Sequence, residues 1–246
     1  MPRLAANLSM LFTERPWLER PAAAAAAGFD AVEVQFPYQH PAADWRAALD
    51  AAGVTMVLHN LPAGDWAGGE RGIACHPGRE AEFRDGVARA IAYAKALGVP
   101  QLNCLAGVPP PGLPEADAQR TLVANLTHAA AELGAAGLRL LVEPINRRDV
   151  PGFFVHRTAQ ALTLLDEVGA AHAFVQYDVY HAQRTEGELS TWRARITVRR
   201  FVSNTSAPNR IGHVPTNRYA DRLSHRHRMV CASSVAASPG VDSRAR

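Results

Sequence analysis

The sequence lacks the features of several large classes of protein. Its three cysteines are too few and too widely spaced for a disulfide scaffold or a zinc ribbon. It contains no run of about 18 apolar residues that could cross a membrane, and MPRLAANLSM at its start lacks the charged-then-apolar layout of a signal peptide. We therefore expect a cytoplasmic protein without a membrane partner.

The glycine patterns that bind nucleotide phosphates are also missing. No G-x-x-x-x-G-K-[ST] segment occurs, and LSMLFTERP, which follows the first predicted strand, contains no glycine. An open Rossmann-like sheet, the main alternative to a closed barrel, needs G-x-G-x-x-G at this point. The sequence therefore gives no support to a nucleotide-binding function and argues against the open sheet.

Lysine is nearly absent, and the charge is unevenly distributed. The net charge of +3 divides into −6 over residues 1–190 and +9 over residues 191–246, where 11 arginines face two aspartates and no glutamate. Three explanations of this basic tail stay open: a reading-frame disruption in a GC-rich gene, an arm that binds nucleic acid, or a disordered extension. Because its arginines show no period and no interleaved aromatics, we favour the first explanation and expect no nucleic-acid partner.

Residues 1–190 repeat one pattern, in which an alanine-rich helical stretch ends at a glycine and a short apolar run follows. Apolar residues spaced about 3.6 apart predict the helices, and runs such as TMVLH and AFVQYD predict strands covered on both faces. Glycine suits the left-handed conformation that ends a helix. The predicted helix-ending residues are Gly28, Gly53, Gly98, Gly137 and Gly169.

The alternation of strands and helices predicts a parallel α/β sheet with right-handed crossovers. With LAANLSM as the first strand, six β/α units are complete by residue 190, and a TIM (β/α)8 barrel needs about 250 residues. We predict an incomplete TIM barrel. Residues 1–190 form its body, and the atypical segment 191–246 replaces its last one to two β/α units.

Polar residues recur where the predicted strands end. In a TIM barrel the carboxyl ends of all strands meet at one rim, and the chemistry gathers there. Two carboxylates on neighbouring strands suit a hard divalent cation such as Mg²⁺ or Mn²⁺. The candidate rim residues are Asn7, Glu33 or Gln35, His59, Asn103, Glu143 and Asp178.

Several segments resemble the hydroxypyruvate isomerase family, a branch of the xylose isomerase-like TIM barrels that is close to the 2-oxo-tetronate isomerases. The resemblance covers about 190 residues, and its E-P-I-N and Q-Y-D-x-Y-H-x-Q-R blocks are the most specific. The matching segments are AANLSMLFTE (5–14), GFDAVEVQFPY (28–38), VLHNLPAGDW (57–66), ERGIACHPGRE (70–80), LNCLAGV (102–108), LVEPINRRDVPGFF (141–154) and QYDVYHAQRTEGEL (176–189).

The resemblance implies roles for particular residues. Glu143 matches the first catalytic glutamate, which also binds the metal, and Asp178 matches the next metal ligand. The expected cofactor is a divalent metal, Mg²⁺ or Mn²⁺. For His181 a loop partner, and for Asp149 an ion pair with an arginine, stay open as alternatives. The implied substrate-contacting residues are His59, Asn103, Asp149 and His181.

The family chemistry interconverts hydroxypyruvate and 2-hydroxy-3-oxopropanoate, a small hydroxy-carbonyl acid, through an enediolate. One carboxylate removes a proton from one carbon and a second returns a proton to its neighbour. The second glutamate and a metal-binding glutamine are expected late in the barrel, yet no glutamate follows Glu188, and Arg218 stands where the glutamine belongs. We therefore expect an isomerase that is impaired in this chain.

Other functions stay open at this point. A 2-oxo-tetronate isomerase shares much of the N-terminal pattern, and a non-catalytic remnant with a basic tail would explain the missing glutamate. An endonuclease-IV-like enzyme needs several zinc-binding His and Glu residues, including some late in the barrel, which the sequence does not supply.

Overall fold

The computed structural model describes residues 3–187, 201–204 and 230–231. Within the first range, strands and helices alternate as the sequence predicts. The strands are β1 (Arg3–Leu4), β2 (Ala6–Asn7), β3 (Ala31–Glu33), β4 (Thr55–Asn60), β5 (Gln101–Cys104), β6 (Arg139–Val142), β7 (Ala173–Asp178), β8 (Phe201–Asn204) and β9 (Val230–Cys231). The α-helices are α1 (Arg20–Ala26), α2 (Ala42–Ala52), α3 (Glu80–Leu97), α4 (Glu115–Ala135), α5 (Thr158–Val168) and α6 (Val179–Glu186).

The strands pair in parallel and in chain order. Seven of them form one sheet from β2 to β8, and β1 pairs in parallel with β9. Since β1 and β2 are two halves of one strand interrupted at Ala5, this first strand lies between β3 and β9, the last strand among the described residues. This is the succession expected of a TIM barrel. Two strands, β8 and β9, fall within the segment 191–246 that the charge pattern sets apart.

Glycine ends the helices at the predicted places. Gly53, Gly98 and Gly169 are the C-terminal caps of α2, α3 and α5, all in the left-handed conformation. Gly28 and Gly137, which follow α1 and α4, also have positive φ angles. The predicted unit of helix, glycine and strand is therefore confirmed throughout the body.

The helices bury the apolar stripes that their spacing predicts. In α3, Phe83, Val87 and Ala94 are buried against the sheet, while Ile91 is half-buried at the edge of the stripe. The stripe of α4, from Leu122 to Leu133, is buried as well. No helix in the described part of the chain is long and apolar enough to cross a membrane.

Candidate active site

Three buried carboxylates lie at the carboxyl ends of three strands of the parallel sheet, of which β6 and β7 are neighbours. Glu33 ends β3, Asp178 ends β7, and Glu143 follows β6 directly. All three side chains are nearly inaccessible to solvent. The parallel sheet therefore gathers negative charge at one rim, as the positions of these residues at the strand ends predict.

Glu143 is held by amide groups of two neighbouring strands. The Nδ2 atom of Asn103 donates a hydrogen bond of 3.0 Å to its Oε2 atom, and Gln176 donates another from β7. Burial, followed by the charges of Asp178 and Glu33, raises the pKa of Glu143 well above its ordinary value. The two amide donors orient the carboxylate of Glu143 at the rim, as a general base requires.

Glu33 lines the same recess as Glu143 and is likewise buried near other carboxylates. The Nδ2 atom of Asn7 donates a 2.7 Å hydrogen bond to its Oε1 atom, and its Oε2 atom has no hydrogen-bond partner within the described residues. Burial and the charge of Asp178 raise the pKa of Glu33 to about 8. The hydrogen bonds at the rim are therefore too few to stabilise the negative charge of Glu33 in its buried position.

Asp178 connects the sheet to the helix that follows it. Its Oδ1 atom accepts hydrogen bonds from the backbone N–H groups of Tyr180 at 2.7 Å and His181 at 3.2 Å. These bonds cap the N-terminus of α6 and satisfy donors that a helix start leaves without partners. Because the cap fixes the first turn of α6, it also positions His181 over the rim.

The proton on His181 is placed by Asn146. The Oδ1 atom of Asn146 accepts from the backbone N–H groups of Arg148 and Asp149, at 3.1 and 3.0 Å, so its amide orientation is determined. Its Nδ2 atom therefore donates to the Nδ1 atom of His181, at 2.7 Å. The neutral imidazole then carries its proton on Nε2, and burial lowers the pKa of His181 to about 4.

Asp149 forms the arginine ion pair that the sequence leaves open and also lines the cavity described below. It forms an ion pair with Arg184 at 3.2 Å, and its Oδ2 atom accepts hydrogen bonds from Tyr180 at 2.7 Å and Asn146 at 2.9 Å. Burial opposes ionisation, but these hydrogen bonds and the charge of Arg184 hold the pKa of Asp149 below its ordinary value. The carboxylate that lines the cavity is therefore ionised.

His59 is fully buried on β4. Its Nδ1 atom lies 3.1 Å from the backbone oxygen of Asn60 and 3.2 Å from the hydroxyl of Tyr38, so Nδ1 carries the proton that the carbonyl accepts. Its Nε2 atom has no partner within the described residues. Burial lowers the pKa of His59 to about 4, which leaves a neutral ring with an acceptor nitrogen.

A cavity of about 320 Å³ opens above this rim. Its volume lies at the small end of ligand sites in proteins and suits a compact substrate. A recess of about 30 Å³ beneath it shares Gln35, Asn60 and Glu143 and is also lined by Glu33, His59 and Gln176. The described lining of the larger cavity comprises Met10, Gln35, Asn60, Trp66, Arg71, Leu105, Glu143, Ile145, Asp149, Val150, Phe153, Tyr180 and His181.

The rim fits a divalent cation. One potential ligand atom from each of Glu143, Asp178 and His181 lies within 4.8 Å of the other two, and all three residues are buried. Buried carboxylates whose mutual repulsion raises their pKa are a donor set that a hard cation would stabilise. The hydrogen bond from Asn146 occupies Nδ1 of His181 and leaves the proton of the neutral ring on Nε2. The two carboxylates are therefore better metal ligands than this histidine.

The structure brings most of the sequence-predicted residues together. Asp149 and His181 line the cavity with Glu143, and His59 lines the recess. Asn103 lies behind Glu143. Its amide group donates hydrogen bonds to that carboxylate and to the side-chain oxygen of Asn60, so it supports Glu143. Among the residues of the site that the sequence did not single out are Asn60, Trp66, Arg71, Asn146, Gln176 and Tyr180.

The chain belongs to the family of xylose isomerase-like TIM barrels, whose sequence profile matches residues 21–234. It is 53% identical over 190 residues to the hydroxypyruvate isomerase of Escherichia coli K12, covering 77% of this chain and 74% of that protein. It is 49% identical over 190 residues to the 2-oxo-tetronate isomerase of Cupriavidus necator, covering 77% of this chain and 73% of that one.

A solved structure agrees with the fold. The crystal structure of an AP endonuclease, family 2, from Brucella melitensis superposes with a TM-score of 0.83 at 36% identity, covering 94% of this chain and 92% of that chain. The predicted TIM-barrel fold and the predicted relationship to hydroxypyruvate and 2-oxo-tetronate isomerases are therefore confirmed. The family match continues past residue 190 into the basic segment.

The crowding of carboxylates predicts that the metal-free protein loses stability as the pH rises from about 6.5 to about 8. Glu33 has a pKa of about 8 in the fold against an ordinary 4.5, so the folded protein holds a proton that the unfolded chain releases. This contribution is complete below pH 4.5 and is lost as the pH rises through 8. His59 and His181 act in the opposite sense, but only below their ordinary pKa of 6.5.

Thermal unfolding in the presence of a chelator measures this effect. The melting temperature of the unmodified protein should fall between pH 6.5 and 8, and that of Glu33→Gln should fall less, because the amide has no proton to lose. The decrease in melting temperature that remains in Glu33→Gln is attributed to Glu143, whose pKa is also raised in the fold. Equal falls in the two proteins would contradict the assignment to Glu33.

Proposed function

We propose that the protein is a metal-assisted isomerase of small hydroxy-carbonyl acids, which interconverts hydroxypyruvate and 2-hydroxy-3-oxopropanoate. The observation that carries this proposal is Glu143, a buried carboxylate with a raised pKa that faces a cavity sized for a three-carbon or four-carbon acid. The identity of 53% to the E. coli hydroxypyruvate isomerase supports it. Free, buried Cys75 and Cys104 support a reducing, cytoplasmic setting.

In this reaction Glu143 removes a proton from the hydroxymethyl carbon of hydroxypyruvate, and the electron pair forms an enediolate. Return of the proton to the same carbon regenerates hydroxypyruvate. Its return to the neighbouring carbon, with the hydroxyl proton passing from the oxygen of the first carbon to that of the second, gives 2-hydroxy-3-oxopropanoate. Asn103 and Gln176 hold the carboxylate of Glu143 in place for this transfer. A divalent cation held by Glu143 and Asp178 would supply Lewis-acid stabilisation of the enediolate charge, worth several kcal/mol.

The remaining polar residues bind and orient the substrate. His181 presents its Nε2–H group as a donor to a substrate oxygen, because Asn146 occupies its other nitrogen. His59 offers Nε2 as an acceptor for a hydroxyl group. Asp149, ionised and held by Arg184, is a second acceptor at the cavity wall. Neutral histidines keep these donor and acceptor roles distinct.

Proton exchange should outpace net isomerisation in this chain. Since no glutamate follows Glu188 in the sequence, the carboxylate that would return the proton to the second carbon does not come from a late strand. Glu143 can still remove and return a proton at the first carbon. The function is therefore tested best by hydrogen–deuterium exchange, which needs one base.

We expect the purified full-length chain with Mg²⁺ or Mn²⁺ to exchange the hydroxymethyl protons of hydroxypyruvate in D₂O faster than buffer and metal do. Proton NMR follows the loss of the hydroxymethyl signal and, more slowly, the appearance of 2-hydroxy-3-oxopropanoate. A chelator should stop the exchange, and either cation should restore it. Exchange no faster than the protein-free control with either metal would overturn the proposed function.

A 2-oxo-tetronate isomerase is the second candidate, favoured by the 49% identity to the C. necator enzyme. Its substrate is one carbon longer and carries the same reacting hydroxy-carbonyl group. The ratio of exchange rates for the two acids, measured side by side under the same conditions, decides between them. The endonuclease named for the B. melitensis structure uses a different chemistry, and the described rim offers one histidine beside two carboxylates as ligands.

A further inference from the structure

We propose that Arg71, backed by Trp66, binds the carboxylate of the substrate and makes the site selective for acids over neutral hydroxy-ketones. This inference rests on the proposed function, since it names the group that distinguishes one class of hydroxy-carbonyl compound from another. The residues that hold the reacting carbons are polar or negative, so a separate residue must recognise the acid end.

Arg71 is the one permanent cation among the described residues that line the cavity. Asp149, which is held in its ionised form, lies on the same lining, and its negative charge would repel an anionic substrate. The histidine of the cavity, His181, is neutral through its hydrogen bond from Asn146. Attraction for a carboxylate within the described lining therefore comes from Arg71.

The guanidinium of Arg71 is already oriented. Its Nη1 atom donates to the backbone oxygens of Trp66, at 3.1 Å, and Glu70, at 2.7 Å. Its Cζ atom lies 4.3 Å from the centroid of the Trp66 ring, which itself packs against Phe36 with centroids 4.8 Å apart. Stacking and two backbone bonds reduce the conformational freedom that binding would otherwise remove.

Both of these hydrogen bonds come from Nη1, so the edge of the guanidinium formed by Nε and Nη2 is left for a ligand. Within the described residues, no hydrogen bond involves the Nε and Nη2 atoms of Arg71. Two parallel N–H groups on one edge of a guanidinium match the two oxygens of a carboxylate. The geometry therefore offers a bidentate site, which a lysine could not reproduce.

The nearby acidic residues do not neutralise Arg71. Glu70, its neighbour in the chain, pairs with Arg79, which is also held by Glu82. Asp149, across the cavity, pairs with Arg184. Glu70 and Asp149 are thus each paired with another arginine. Glu143 is held by the amides of Asn103 and Gln176, so the charge of Arg71 is left for the substrate.

Two substitutions test the proposal, Arg71→Met and Arg71→Lys, with Arg120→Met as a matched loss of charge on the exposed face of α4. The first measurement is calorimetric binding of glycerate, an unreactive acid of the same length as hydroxypyruvate. A charge-assisted bidentate pair predicts that Arg71→Met weakens glycerate binding about 10-fold to 100-fold. Arg71→Lys should bind glycerate more weakly than the unmodified protein and more tightly than Arg71→Met. Arg120→Met should bind glycerate as the unmodified protein does.

The second measurement compares proton exchange in hydroxypyruvate and in dihydroxyacetone, which has the same reacting group and no carboxylate. Arg71→Met should raise KM for hydroxypyruvate by a similar factor with little change in kcat, and should leave dihydroxyacetone exchange within about twofold. Equal losses for both substrates, or unchanged glycerate affinity, would overturn the role of Arg71. If the unmodified protein binds glycerate through Arg71 yet exchanges no protons, the proposed function fails and the carboxylate site stands.

Discussion

Replacing Glu143 with glutamine is expected to abolish proton exchange in hydroxypyruvate, with a loss of about 10²-fold to 10⁴-fold in kcat. Glutamine keeps the shape of the side chain, and its one amide oxygen can still accept a hydrogen bond from Asn103, but it cannot accept a proton from carbon. Among the described residues at the rim, Glu143 alone lines both the recess and the larger cavity as a carboxylate. NMR exchange in D₂O at saturating substrate measures the effect.

Two controls separate this loss from unfolding. Glu132→Gln removes the same charge from the exposed face of α4 and should exchange at the unmodified rate. Glu143→Gln itself should raise the melting temperature of the metal-free protein near pH 8, because it removes one of three crowded buried carboxylates. A Glu143→Gln protein that keeps more than a tenth of the exchange rate would show that another group removes the proton.

The body of the barrel is predictable because its determinants are local. Each helix carries an apolar stripe at helical spacing, each ends at a glycine with positive φ, and each is followed by a run of residues such as those of β4 or β7. Parallel pairing then brings the strand ends together whatever the details of the loops. For this reason Glu143 and Asp178, placed by the strand ends alone, meet at one rim in the structure.

The charges around the rim are harder to predict, because they depend on side-chain orientation rather than on position. Asn146 follows Glu143 by three residues in a loop, and its effect on His181 appears only when its four hydrogen bonds are seen together. Asp149 likewise forms an ion pair with Arg184 while it lines the cavity. The sequence offers the ion pair and a substrate contact as alternatives, whereas in the structure the ion pair leaves the carboxylate on the cavity wall.

Arg71 could not be predicted, because its place depends on contacts between loops. It lies eleven residues past the end of β4, where neither strand nor helix periodicity applies. The backbone of the next residue, Gly72, comes close to the segment after β5 at Leu105 and Gly107. This close approach, together with hydrogen bonds from Gly72 to Ala63 and from Cys75 to Ala106, carries the loop over the cavity.

Replacing Gly72 with alanine is therefore expected to destabilise the protein by about 3–5 kcal/mol, among the largest effects that a single methyl group can have. A Cβ atom at this position would lie 2.8 Å from the carbonyl carbon of Leu105 and 2.9 Å from the backbone nitrogen of Gly107. These are backbone atoms that cannot rotate away. The φ angle of +118° is also one that alanine rarely adopts.

Gly78→Ala is the matched control, since Gly78 lies in the same loop with a φ angle of +82°, and a Cβ atom added there would have no neighbouring atom within 4 Å. It should show the cost of the left-handed conformation alone, about 1 kcal/mol. Thermal and urea unfolding measure both variants, and a chain of this length should lose roughly 10 °C in melting temperature for Gly72→Ala. Since Gly72 adjoins Arg71, glycerate affinity should fall with it even where the variant remains folded, and stability equal to that of Gly78→Ala would show that the two loops can move apart.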